Sequence, residues 1–450
     1  MDITLVRKYN VPGPRYTSYP TVPCWTRTPS HAGWLDRVRR AFDRCNGREG
    51  ISVYVHLPYC ERLCTYCGCT TRITVNHGVE EPYVESVLAE WRLYRAAFGA
   101  APRIRELHLG GGTPTFFSPR NLERLVAGLL EGCTVPADAE MGFEGHPDNT
   151  TRDHLHALYT LGFRRVSYGI QDFDQCVQQA INRRQSFTRV QQAFADARTA
   201  GYPSINADLV FGLPFQTTKG MERTIALTNL LRPDRIAFYS YAHVPWMKPG
   251  QRQFTEADLP AADAKRTLYE LGKRLFMEAG YREVGMDHFA LPHDALFQAL
   301  TQGTLHRNFM GYTPVRSGLL VGLGASAIGD AWTCYAQNLK TVEEYQERVA
   351  AGILPVFRGH VLSDDELQVR REILNAMCHS SAELANIGWD ADDVEAHFFD
   401  LIADGLVEQQ GTSIRITAKG RPFVRNVCMA FDPDLRRERD GDRPRFSMTV

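Results

Sequence analysis

Lysine is scarce in this 450-residue chain, contributing 7 of its 51 basic residues, and arginine supplies the rest. Arginine suits planar carboxylate partners better than lysine does. A surplus of either sign is lacking too, since the formal net charge is −1. Such a balance gives no bulk attraction to nucleic acid or to a membrane surface, and neither is expected as a partner. Long apolar runs are missing. The most apolar stretch, Leu319 to Ile328, is interrupted by Gly322 and Gly324 and falls well short of the ~18–20 residues of a membrane helix. The opening Met1-Asp2-Ile3-Thr4-Leu5-Val6-Arg7 has no apolar core of the secretory kind, so a cytoplasmic location is expected. There is no internal repeat and no low-complexity tract. With 44% apolar and 23% charged residues, the chain has a globular rather than a disordered composition.

Its length suits two or three domains, and the pattern divides into three stretches. Residues 1–50 open with Val11-Pro12-Gly13-Pro14-Arg15-Tyr16-Thr17-Ser18-Tyr19-Pro20 and continue into a helix near Gly33–Cys45. Residues 51–340 alternate short apolar strands with amphipathic helices. The expected strands are Ile51–His56, Ile104–Leu109, Glu140–Glu144, Arg164–Gln171, Ser204–Val210 and Arg235–Tyr241. Strands and helices alternating at this spacing imply parallel βα units, in an open sheet or a partial barrel. Residues 341–450 read as helices (Glu343–Ala351, Glu366–Cys378, Ala391–Asp404) followed by a small hairpin, a winged-helix-like arrangement. Its acidic residues, among them Asp390, Asp392, Asp393 and Glu395, weigh against DNA binding.

Thiols stay reduced in the expected compartment, so clustered cysteines point to metal or catalysis. Seven of the eleven are isolated (Cys24, Cys45, Cys133, Cys176, Cys334, Cys378 and Cys428) and are expected as small buried residues. Cys60, Cys64, Cys67 and Cys69 fall within ten residues, directly after the first strand. A structural zinc site takes two separated ligand pairs, and no second pair follows downstream. Closely spaced thiolates in one loop can instead hold an iron–sulfur cluster. The second strand ends in Gly110-Gly111-Gly112-Thr113-Pro114, where glycines permit close backbone approach. Glu144, Gln171, Asp172 and Asp208 lie at or near later strand ends, where parallel βα folds build their sites. Arg183 could grip a carboxylate in a bidentate pair.

The C-x3-C-x2-C spacing, with Tyr66 before the last cysteine, resembles the signature of the radical S-adenosylmethionine (SAM) superfamily. Beyond it, Pro14–Pro20, His56–Cys69, Gly110–Thr115, Gly169–Phe173, Gly212–Thr217, Tyr241–His243, Gly285–Ala290, His306–Phe309, Tyr335–Asn338 and Arg425–Met429 resemble the oxygen-independent coproporphyrinogen III oxidase family. The resemblance implies an α/β fold, a partial (βα)6 TIM-like barrel, with one [4Fe-4S] cluster and two SAM molecules. Cys60, Cys64 and Cys67 would ligate the cluster, with Cys69 present but not a ligand. Cys69 and Tyr54 are the candidates for a catalytic part. Tyr54, Gly111, Glu144 and Ile328 would contact the cluster-bound SAM. Tyr66, Gly112, Thr113, Gln171, Arg183, Asp208 and Ala242 would contact the second. The Gly145-His146-Pro147 that follows Glu144 departs from another form of the family, leaving Glu144 itself in place.

The implied reaction turns two propionates of coproporphyrinogen III into vinyl groups, giving protoporphyrinogen IX without oxygen. A 5′-deoxyadenosyl radical from SAM would take a hydrogen from each propionate, and carbon dioxide would be lost. The implied partners are coproporphyrinogen III and an unidentified electron donor, to a chain expected as a monomer. Arg15 and Arg307 are the first candidates for clamping the substrate's carboxylates. The competing readings are a haem chaperone of the same family, and a radical SAM methyltransferase or haem-degrading relative. A cysteine at position 69 and a long N-terminal segment favour the oxidase.

Overall fold

Six strands alternate between apolar and polar residues, and the alternation decides how they assemble. They are β1 (Ile51–Leu57), β2 (Ile104–Gly111), β3 (Glu140–Gly145), β4 (Arg165–Gln171), β5 (Ser204–Phe211) and β6 (Arg235–Ser240). Side chains of period 2 point to opposite faces. One face carries Val53, Val55, Leu107, Leu109, Phe143, Val166, Leu209 and Phe238, all fully buried in the main apolar cluster. The other carries Tyr54, His108, Glu144, Ser167, Asp208 and Tyr239. In the computed structural model, which describes residues 3–437, 446 and 448–449, the apolar face meets the helices and the polar face lines the inside of the curved sheet.

All six strands pair in parallel, in sequence order from β1 to β6. Helices return the chain between the strands, among them Glu80–Ala97, Pro119–Leu130 and Thr218–Leu231, as the alternation implies. The architecture is the expected partial barrel, extended on both flanks. Leu320–Leu323 adds in parallel to β1, and Ile328–Asp330, Cys334–Asn338 and Val356–Val361 continue antiparallel beyond it. On the other side His288–Ala290 pairs antiparallel with β6 and carries Arg282–Gly285 at the edge. The sheet therefore continues past the expected boundary at residue 340, through Val361, because strand pairing and the apolar side of Val342–Ala350 both belong to the main core.

The two outer edges of this twelve-stranded sheet do not pair with each other. A hairpin of His306–Asn308 and Gly311–Thr313, which pairs with neither edge, reaches from β2 to the edge strand Arg282–Gly285. Thr313 Oγ1 donates to Glu106 Oε1 of β2 at 2.7 Å. On the opposite side the Tyr312 ring packs so closely on Gly285 that a Cβ there would sit 2.7 Å from it.

A second apolar cluster gathers Leu5, Tyr9, Tyr16 and Tyr19 of the opening segment with helices Asp364–His379, Ala391–Ala403 and Val424–Ala430. Those helices carry a three-stranded sheet of Ser381–Glu383, Ser413–Ile416 and Val407–Gln410, one strand more than the expected hairpin. The opening segment is tied down near residues 11–14: the Thr449 amide donates to the Val11 carbonyl at 2.8 Å, and Arg425 donates to the carbonyls of Gly13 and Pro14. Among the isolated cysteines, Cys45, Cys334, Cys378 and Cys428 are buried as expected. Cys24 and Cys133 are half-buried, and Cys176 is exposed on the first turn of a short helix, against expectation. No helix among the described residues is long and apolar enough to cross a membrane.

Candidate active site

The loop after β1 is pinned where it leaves the strand. The Gly112 amide donates to the Leu57 carbonyl at 2.8 Å and the Thr113 amide to the Tyr59 carbonyl at 3.0 Å. The loop crosses so near the end of β2 that a Cβ on Gly112 would lie 2.6 Å from the Pro58 oxygen. Glycine is therefore required by the crossing chain, whatever else it contacts. Cys60 Sγ lies 3.3 Å from Thr113 Oγ1, Arg183 Nη1 donates to Cys64 Sγ at 3.6 Å, and the Cys69 amide donates to Cys67 Sγ at 3.4 Å. Hydrogen bonds from Cys69 hold the Cys67 thiol below its ordinary range, against the upward push of burial, and Cys69 itself is raised.

These thiols open onto a cavity of about 720 Å³ at the carboxyl ends of the strands. Glu144 reaches it from β3 with its side chain 42% exposed, accepting the Gly111 amide at 3.2 Å; His108 Nε2 lies 3.4 Å away. Asp208 reaches it from β5, accepting from Ser167 at 2.9 Å and Asn206 at 2.7 Å. Burial, then the nearby Glu144 charge, pushes Asp208 up to about 6. Gln171 takes a left-handed backbone conformation (φ 70°), where β4 meets the cavity. Arg183 donates to the Gly169 carbonyl at 2.5 Å.

Of the residues expected in the site, Cys60, Cys64, Cys67, Cys69, Tyr66, Gly111, Gly112, Thr113, Glu144, Gln171, Arg183, Asp208 and Ala242 all line this one cavity. Tyr54 and Ile328 do not. Tyr54 lies lower in the barrel, where its ring stacks on His108 and its hydroxyl meets His56 Nδ1 at 3.1 Å. The Thr70 carbonyl can only accept, so His56 donates to it from Nε2 (2.8 Å) and takes the Tyr54 hydroxyl on Nδ1. Ile328 begins the strand beyond Leu320–Leu323, its backbone close against Gly322. Arg15 lines the cavity, whereas Arg307 stands behind it, buried.

Sequence reasoning missed His108, Ser167 and Asn206, which support Glu144 and Asp208. Their signal was present in the alternation: each falls two residues from a residue already singled out or from a strand-end glycine, on the polar face. It also missed Gln251, whose Nε2 donates to the carbonyls of Tyr66 and Ala242, at 3.0 and 3.3 Å. No local pattern marks that residue.

The donor set fits a cluster and an amino-acid-bearing nucleoside. Three soft thiol ligands come from one loop. Among the described residues no three His, Cys, Asp or Glu side chains converge tightly enough for a single metal ion, so the thiols share a cavity wall rather than a point. Beside Cys64, the buried Nε of Arg183 has no hydrogen-bond partner, a donor suited to a carboxylate. Opposite it, Glu144 offers a carboxylate to an amine.

Residues 54–228 match the radical SAM superfamily, and the barrel with its three-cysteine loop defines a radical SAM protein. The likeness to individual proteins goes further. The chain is 37% identical to the oxygen-independent coproporphyrinogen III oxidase of Escherichia coli K12, over 97% of this chain and 96% of that one. It is 38% identical to the protein of that name from Pseudomonas aeruginosa, over 97% of each. The solved structure of the Escherichia coli coproporphyrinogen III oxidase, described as a radical SAM enzyme, superposes with a TM-score of 0.89 at 34% identity, covering 96% of this chain and 99% of that one. The chain belongs to the oxygen-independent coproporphyrinogen III oxidase family.

Proposed function

We propose that this chain decarboxylates two propionate side chains of coproporphyrinogen III to vinyl groups, yielding protoporphyrinogen IX without oxygen. The observation that carries the reading is the convergence of the three-thiol loop, five further strand ends and Arg15 on one cavity, in a chain with near full-length likeness to oxidases of that name. Cys60, Cys64 and Cys67 would hold a [4Fe-4S] cluster, and two SAM molecules would share the cavity beside it. When bound, these groups supply one-electron cleavage of a carbon–sulfur bond and the hydrogen-atom abstraction that follows.

The protein's own part is placement and shielding. Glu144, fixed by the Gly111 amide and His108, accepts from an amine at the open side of the cluster loop. Tyr54 and His56 brace that wall from below. Arg183 and Gln171 orient the second SAM, and Asp208, held by Ser167 and Asn206, accepts from its ribose hydroxyls. Cys69 stands at the cavity without a ligand's part and acts on the substrate side. Arg15, with the opening segment over the barrel, limits access of water to the cavity. Each propionate loses one hydrogen atom, carbon dioxide and one electron, so an external one-electron donor and an acceptor complete the cycle.

The test is an anaerobic assay. Protein reconstituted with iron and sulfide is given SAM, a low-potential reductant and coproporphyrinogen III, and oxidised products are separated by chromatography. Protoporphyrin at the expense of coproporphyrin supports the reading. No conversion alongside tight haem binding would make the chain a haem chaperone, and a methylated product would make it a methyltransferase.

A further inference from the structure

Four cations meet where the opening segment crosses the barrel. Arg15 pairs through Nη1 with Asp287 Oδ2 at 3.2 Å and donates from Nη2 to the Ser240 carbonyl at 2.9 Å. Behind it, Arg307 Nη2 donates to the Arg15 carbonyl at 3.2 Å, while its guanidinium lies 4.5 Å above the Tyr312 ring. Arg307 is only 6% exposed, and its buried Nε and Nη1 have no hydrogen-bond partner. Arg425, 4% exposed, donates to the carbonyls of Pro14, Met448 and Thr449. Lys265 Nζ donates to the Tyr241 carbonyl at 2.8 Å and forms no ion pair among the described residues.

Buried charges are normally paired, because leaving them bare is costly, and Arg307 and Lys265 have no ion pair among the described residues. Asp287 faces this group, but both its oxygens are engaged, Oδ2 by Arg15 and Oδ1 by His288 Nδ1 at 3.1 Å. Burial and the proximity of like charges both disfavour the charged forms here. Burial, then Arg15 and Arg425, brings Lys265 down to about 8, and burial, then Arg15, brings Arg425 down to about 9. The cluster touches the active-site cavity through Arg15 and through Ser240 and Tyr241, whose carbonyls hold Arg15 and Lys265. That wall is at the end of β6, five strands across the sheet from the cysteine loop after β1. Arg183, beside Cys64, already provides the guanidinium suited to a carboxylate at the near end.

We propose that this cation cluster binds a propionate carboxylate of the tetrapyrrole remote from the reacting one. Arg15 makes the contact; Arg307, donating to the Arg15 carbonyl, and Lys265, donating to the neighbouring Tyr241 carbonyl, are positioning residues that add positive charge behind it. The inference rests on the proposed reaction, since it takes the four-carboxylate porphyrinogen as the occupant. Holding a remote group in this way is how binding energy orients the reacting carbon.

The experiment uses the reconstituted holoenzyme and three variants: Arg15→Gln, Arg15→Lys and Lys265→Met. Equilibrium binding of coproporphyrin III and of its tetramethyl ester is followed by porphyrin fluorescence, and KM and kcat are measured with coproporphyrinogen III. Iron content and visible absorption equal to the parent's establish that each variant is folded. Arg15→Gln is expected to weaken coproporphyrin III binding and raise KM on the order of tenfold, with a much smaller change in kcat. Arg15→Lys recovers part of the loss, and Lys265→Met raises KM about threefold. Binding of the ester, which lacks the carboxylates, stays the same in all four proteins. Parental coproporphyrin III binding and KM in Arg15→Gln and Lys265→Met would overturn the proposal, as would an equal loss for acid and ester. Failure of the parent to convert coproporphyrinogen III would instead overturn the proposed reaction, so the two failures are distinct.

Discussion

The Ser167 hydroxyl donates to Asp208 Oδ2 at 2.9 Å, tying neighbouring strands β4 and β5 at the cavity floor. Asp208 is buried enough, and near enough to Glu144, to titrate at about 6. Only its ionised form is a full acceptor for ribose hydroxyls. SAM affinity should therefore hold above pH 6 and fall below it by up to about tenfold per pH unit. Asp208→Asn should bind SAM more weakly at pH 7.5 and lose this acid dependence. Binding isotherms between pH 5 and 8 check the point, and coincident profiles for the two proteins would remove Asp208 from the nucleoside.

The cluster loop makes a sharper demand. Replacing Cys60, Cys64 or Cys67 by Ala should abolish the broad visible iron–sulfur absorption and SAM cleavage together. Under the proposed assignment, in which Cys69 lines the cavity but is not a ligand, Cys69→Ala should keep the absorption while turnover falls. Iron and sulfide analysis with visible spectroscopy distinguishes the cases. A full cluster in Cys64→Ala would refute the three-ligand arrangement.

Gly110 has no unusual backbone angle, yet a Cβ there would lie 2.8 Å from Glu144 Oε1 and 3.0 Å from the Tyr54 ring. Gly110→Ala should leave the fold and cluster content intact while displacing Glu144. SAM binding is expected to weaken by about 1–3 kcal/mol, measured by calorimetry on the reconstituted protein. Parental affinity would place Glu144 outside the SAM contacts.

Glu366 fastens the helix Asp364–His379 to the strand before it and to the opening segment. It accepts from Ser363 N at 2.7 Å, lies 3.1 Å from His360 Nε2 and pairs with Arg27. Burial alone would raise its pKa, but His360, the Ser363 amide and Arg27 together hold it at about 2. A folded value below the unfolded one means stability present above about pH 4.5 and lost as pH falls towards 2. Glu366→Gln should cost about 1–2 kcal/mol at pH 7 and progressively less below pH 4. Denaturant midpoints at pH 7 and pH 3, followed by near-ultraviolet circular dichroism, measure the difference.

The six barrel strands were legible because alternation is local: Val53, Val55, Leu107 and Leu109 announce one face, and His108 and Asp208 the other. The cysteine loop was legible from spacing alone. What escaped reading depends on distant pairing. Ile328–Asp330 and Cys334–Asn338 are strands because they pair with each other and with Leu320–Leu323, not because of any period of their own. Ser381–Glu383 is a strand only against Ser413–Ile416. Lys265 reads as an ordinary helix lysine until folding brings it to the Tyr241 carbonyl, across 24 residues of chain. The placing of Arg307 behind Arg15 rather than in the cavity is likewise a product of the hairpin's lodging between β2 and Gly285.

That gap bears on more than topology. A barrel closed by strand pairing has its girth set by an unbroken ladder of backbone hydrogen bonds. Here the outer edges of the sheet share no such ladder, and the hairpin reaches instead from Glu106 of β2, through Thr313, to Gly285 of an edge strand, under Tyr312. The seam runs beside Arg307, and Arg307 bears on the carbonyl of Arg15. Arg15, at the cavity wall, is thus braced by a hairpin that, among the described residues, pairs with itself and not with the barrel sheet.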